Sequence, residues 1–167
     1  MSRFIPVLFR DQRGTPAVDF ALTMPALILV TIGVMQLGIA FLANSGIRNG
    51  VESGARYSSV VTDSTAPTVY PTDSAIWSNV SSHLFGVNPL GTATSSSNPT
   101  DCGTNTGTKF TGTVSGTSDA YTFVVCRGTS NSQKFVDVTL NYPLRMNFVV
   151  MSTPKITLSY TRRAYQL

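Results

Sequence analysis

Residues 20–47 carry no charged side chain, 28 positions in a row. As an α-helix, the apolar part of this stretch, residues 20–43, would be about 36 Å long at about 1.5 Å per residue. That exceeds the roughly 30 Å hydrocarbon core of a bilayer, so the segment can span with some tilt. Thr23, Thr31 and Gln36 are tolerated there because a helix satisfies its own backbone, and Pro25 near the start is a point of bending. A core helix of a soluble protein is the competing reading, and length with unbroken apolarity argues against it. An ordinary secretory signal fits less well, because its apolar region runs only about 7–15 residues and ends at a small-x-small cleavage site.

The flanking cations set the orientation. Arg3, Arg10 and Arg13 precede the segment and Arg48 and Arg56 follow it, a bias that places the N-terminus in the cytoplasm and the rest of the chain across the membrane. The 167 residues leave room for one modest domain beyond the span. Only 12% of residues are charged and the formal net charge of +4 is spread over both halves, so no basic face argues for nucleic acid. Cys102 and Cys126, the two cysteines, both fall in the domain expected outside the cytoplasm, where a pair reads as one disulfide. Two buried free thiols are the alternative.

Past the span the helix is expected to continue. Ile47, Val51, Ala55 and Ser58 form a narrow stripe, and Arg48, Glu52 and Arg56 a charged ladder at i,i+4 spacing. Gly46, Gly50 and Gly54 form a third row. Each glycine costs roughly 1 kcal/mol of helix propensity relative to alanine, so three in register imply close helix packing. Either this protein's own sheet or a partner helix could fill that row.

At the other end of the span, Arg13-Gly14 is followed by Thr15-Pro16-Ala17-Val18-Asp19-Phe20. A carboxylate opening an apolar helix needs a positive partner. The arrangement resembles that of type IV prepilins, in which an amine created by cleavage after the glycine, here Gly14, would supply one; the helix dipole would favour the same charge. Arg13-Gly14, Asp19-Phe20-Ala21-Leu22, Pro25 and Gly54-Ala55-Arg56-Tyr57, in this order and spacing, resemble the N-terminal module of the TadE-like family, over about 45 residues. The acid is Asp19 where that family usually has Glu, and Pro16 stands two residues past the junction. The resemblance implies a pseudopilin of the tight-adherence (Flp) pilus system. A prepilin peptidase would cut between Gly14 and Thr15, and the partners would be other pilin-like and pilus-assembly proteins in the inner membrane. A minor pilin or adhesive tip subunit, and a membrane-anchored exported enzyme, are the alternative functions.

The expected organisation is a leader over 1–14, a transmembrane helix with its extension over 15–62, and a periplasmic or extracellular Ser/Thr-rich domain over 63–167. The fold class is α+β, a long helix leading into a small helix-plus-antiparallel-sheet domain. Residues 72–85 read as a helix, capped by Thr72, Asp73 or Ser74, with Ile76, Trp77, Val80 and Leu84 on its apolar face and Gly86 as its stop. Residues 92–118 hold fourteen Ser/Thr and four Gly in 27 positions and read as a loop or weak strands outside the core. Three alternating strands follow, through Tyr121–Phe123–Val125, Val136–Val138–Leu140–Tyr142 and Ile156–Leu158–Tyr160. Residues 127–134 are expected to turn between the first two, and residues 146–151 to form either a buried segment or an apolar tip.

No catalytic constellation emerges. His83 is the single histidine and reads as a polar-face residue, and two cysteines without a histidine cluster make a poor metal site. Gly103, Gly107 and Lys109 lack the spacing of a phosphate loop. Neither enzymatic activity, a cofactor nor a small-molecule substrate is expected.

Overall fold

The computed structural model describes residues 15–60, 70–97, 99–145 and 155–166. The leader with Gly14 and the segment 146–151 lie outside them. The order is a long helix α1 (Thr15–Ser59), a second helix α2 (Asp73–His83), strand β1 (Leu90–Ser97), a 3-10 turn (Thr100–Cys102), then β2 (Thr106–Val114), β3 (Ala120–Ser130), β4 (Gln133–Arg145) and β5 (Lys155–Gln166). The five strands form an antiparallel meander in sequence order, and the fold is α+β. The chain divides into two compact units at Gly38–Ile39. Among the described residues the first unit is the apolar opening of α1; the second holds the rest of α1, α2 and the sheet.

In the second unit, Tyr121, Phe123 and Val125 of β3 and Val136, Val138, Leu140 and Tyr142 of β4 turn one face of the sheet inward. They meet Ile47, Val51 and Ala55 of α1 and Ile76 and Val80 of α2 in a single core. The period-two and period-four apolar patterns therefore point at each other, as a helix-on-sheet layer requires. Trp77 lies over this sheet face, its ring 4.9 Å from Phe123, 5.5 Å from Tyr121 and 6.0 Å from Phe110.

The structure corrects four expectations. The Ser/Thr-rich segment does form strands, β1 with an irregularity between Leu90 and Ala93, but it is not outside the core: Phe110 and Val114 of β2 are buried in it. The β3–β4 connection is a two-residue turn at Asn131-Ser132, both at positive φ (50° and 67°), so residues 127–130 and 133–134 belong to the strands. Helix α2 starts under the Thr72 hydroxyl, which accepts from Ala75 N at 3.3 Å, and ends at His83, with Leu84 already extended. Gly86 thus lies beyond the helix, at φ 68°, where a Cβ would come 2.6 Å from Leu42. Finally, Ile156, near the start of the edge strand β5, stays 40% exposed.

Candidate functional site

Two surfaces of α1 and one polar cluster of the domain carry the features that a function would use. From Val18 to Leu42, fourteen large apolar side chains lie exposed, including Phe20 (61%), Leu22 (73%) and Phe41 (72%). They surround the helix instead of forming one stripe, the distribution of a helix that faces lipid. The Thr23 hydroxyl donates to the carbonyls of Asp19 (3.0 Å) and Phe20 (3.2 Å), and that of Thr31 to Leu27 (2.8 Å), so neither leaves a polar group bare. The helix is long and apolar enough to cross a membrane.

Asp19 is an exposed residue of α1, and no partner for its carboxylate lies among the described residues. Helix α1 starts at Thr15 and its first turn holds no acid. Asp19 lies just past the turn in which the helix dipole is felt most.

The glycine row faces the chain's own second helix and the residues after it, not the sheet. A Cβ on Gly46 would sit 1.7 Å from the Phe85 carbonyl oxygen. One on Gly50 would sit 2.7 Å from Leu84 Cδ2, and one on Gly54 2.2 Å from Val80 Cγ2. Two hydrogen bonds flank the row, Asn49 Nδ2 to the His83 carbonyl (3.3 Å) and Ser53 Oγ to Asn79 Oδ1 (3.0 Å). On another face of α1, Tyr160 Oη donates to Glu52 (3.0 Å), while the Arg48 guanidinium lies 5.2 Å from the Tyr160 ring. Burial and the adjacent Glu52 push the Tyr160 phenol up. The charged ladder is thus partly spent on fixing β5. Gln166 Nε2 donates to the Ser58 carbonyl and completes that seam.

Cys102 and Cys126 are joined by a disulfide, with Cα atoms 5.4 Å apart. With Val124 they form a small second cluster on the face of the sheet away from the helices. The bond pins the 3-10 turn to β3. Gly107 makes room for it, since a Cβ there would meet Val125 O at 2.1 Å and Cys102 Sγ at 2.8 Å.

The polar cluster was not visible in the sequence. Asp119, only 5% exposed, accepts from Arg145 through both carboxylate oxygens and pairs with Lys155 Nζ at 3.1 Å. The Arg145 guanidinium, helped by Lys155 and opposed by burial, lowers the Asp119 carboxyl to about 2. A second pair, Arg127 with Asp73 (2.7 Å), also reaches the Pro71 carbonyl and ties the start of α2 to β3. His83 is exposed on α2, its Nδ1 2.8 Å from the Asn79 carbonyl. Arg163 forms a two-pronged bond to Asp137 and covers the Phe135 ring at 4.0 Å. Among the described residues no group of three His, Cys, Asp or Glu could hold a metal.

Neither a curated protein nor a solved structure matches the chain. Residues 14–56, which hold the apolar helix, Asp19 and the glycine row, match the model of the TadE-like protein family, a family of pilus-associated structural proteins.

Proposed function

We propose that this chain is a TadE-like pseudopilin, held in the inner membrane by the first part of α1 and supporting assembly or secretion of Flp-type pili. The observation that carries the reading is the family match over residues 14–56 falling on a helix whose first half, Val18 to Leu42, exposes apolar side chains all round. In this reading the N-terminus faces the cytoplasm and a prepilin peptidase cuts between Gly14 and Thr15. The new amine neutralises Asp19, in the same subunit or a neighbouring pilin-like one. The domain after Tyr57 lies outside the cytoplasm, where the Cys102–Cys126 bond is stable. A role in assembly needs surfaces and an anchor, not a reaction centre.

N-terminal sequencing of the protein from its native membrane tests this directly. A chain beginning at Thr15, retained in the membrane and absent from sheared pili, with pili lost on deletion, is the expected result. An intact chain beginning at Met1 in cells with an active prepilin peptidase would overturn the pilin-like assignment. Recovery in sheared filaments would move the protein to the minor-pilin class.

A further inference from the structure

We propose that the domain rests on the membrane through a rim built around Phe85, Arg145, Lys155 and Ile156, which takes the phospholipid headgroups of the leaflet from which α1 emerges. The inference rests on the membrane-anchor reading and adds a second contact to it. A hydrocarbon core of roughly 30 Å takes about 20 helical residues. Counted from Phe20, the first residue after the charged Asp19, it ends at Ile39, and tilt moves the exit a few residues further, toward Ala43.

This turn of α1 already belongs to the domain unit. Ile39 lines a cavity of about 200 Å³ together with Gly86, Asp119, Tyr142 and Arg145. Leu42 lies against Gly86, and Gly46 against the Phe85 backbone. Asn88 N donates to Tyr142 Oη at 3.0 Å, which fixes the 85–89 connection to the sheet at this level. Lys155 is the register partner of Arg145, and Ile156 of Leu144. The strand ends that carry these side chains therefore lie beside the turn at which α1 leaves the hydrocarbon.

The exposed chemistry of the rim suits that position. Phe85 is 43% and Ile156 40% exposed, apolar groups left open among the described residues. The side chains of Arg145 and Lys155 are about half exposed, with their heads held by one carboxylate, Asp119. Two cations against one anion leave the rim with net positive charge, matched to phosphate. Long cationic side chains beside apolar ones are the usual furniture of the membrane–water boundary. The opposite end of the domain, near Ser58, lies roughly 28 Å further along α1, 19 residues at about 1.5 Å each, out of reach of the same leaflet.

Tryptophan depth measurements on the full chain decide the matter. The chain is reconstituted in vesicles of phosphatidylethanolamine and phosphatidylglycerol, with nitroxide either on the headgroup or deep on the acyl chain. Every variant carries Trp77→Phe, so that one tryptophan reports. With Phe85→Trp and, separately, Ile156→Trp, headgroup nitroxide is expected to quench emission strongly, whereas Tyr165→Trp at the far end is left unquenched. Quenching of the two rim variants no greater than that of Tyr165→Trp would overturn the proposal. Leu29→Trp separates this from the anchor itself: quenching by the deep nitroxide shows the span in place even if the rim stays in water, and its absence would overturn the anchor and the rim contact together.

Discussion

Replacing Gly46 with alanine tests how α1 and α2 hold together. An added methyl would come 1.7 Å from the Phe85 carbonyl oxygen and 2.7 Å from its carbon. Ordinary contact begins above 3 Å, so the backbone after α2 must retreat by more than 1 Å or α1 must shift. Because the obstacle is main chain and not a flexible side-chain tip, the cost belongs at the upper end of the roughly 1–3 kcal/mol typical of overpacking. Alanine returns about 1 kcal/mol of helix propensity, leaving a net loss of about 2 kcal/mol. For a unit of this size that corresponds to a fall in Tm of roughly 6–10 °C. Trp77, packed among Phe110, Tyr121 and Phe123, provides the fluorescence signal for thermal unfolding in detergent. Gly33→Ala is the control, since nothing lies within 4 Å of a Cβ there, and it should leave Tm unchanged or raised. A Gly46→Ala Tm equal to that of the parent, or a Gly33→Ala loss of the same size, would refute the packing argument.

Three further outcomes are expected. Cys102 and Cys126 close a loop of 24 residues' separation, for which chain entropy gives about 3.5 kcal/mol; reduction should lower Tm markedly, and alkylation of unreduced, denatured protein should label neither cysteine. Asp119 has its carboxyl lowered to about 2, against about 3.9 in an unfolded chain. A depressed carboxyl stabilises the fold above the unfolded value and loses that contribution as pH falls through the folded one. Denaturant titrations should therefore show a drop between about pH 4 and pH 2 that is smaller in Asp119→Asn, and an identical pH profile in that variant would exclude the cluster as a source of acid sensitivity. Asp19→Ala should leave the protein in the membrane fraction while pilus output falls, because the carboxylate is proposed to act on assembly and not on insertion; normal piliation would reduce it to a tolerated interfacial residue.

What could be read from the sequence, and what could not, follows from where each interaction gets its specificity. Ile47, Val51, Ala55 and Ser58 announced a buried stripe because helical geometry alone puts positions three and four apart on one face, and all four are buried. Strands β3 and β4 were legible for the same reason at period two. β1 and β2 were not, since threonine, serine and glycine occupy both of their faces and only Phe110 and Val114 are buried. Their place is set by the hydrogen-bond ladders of β1 to β2 and of β2 to β3, which leave no hydrophobic signature. The Asp119 cluster joins positions 26 and 36 apart, Asp119 with Arg145 and with Lys155, and the pair of Asp73 with Arg127 spans 54. No local pattern marks such partners until the register of the sheet is known. The glycine row falls between these cases. Its spacing announced that a backbone comes close, but the identity of that backbone depends on how α2 docks. Because Phe85, Leu84 and Val80 already occupy the row, a partner helix reading it would first have to displace α2. In the proposed pseudopilin role, association with pilin-like partners is better sought on the exposed, apolar first half of α1 or on the exposed surface of the sheet.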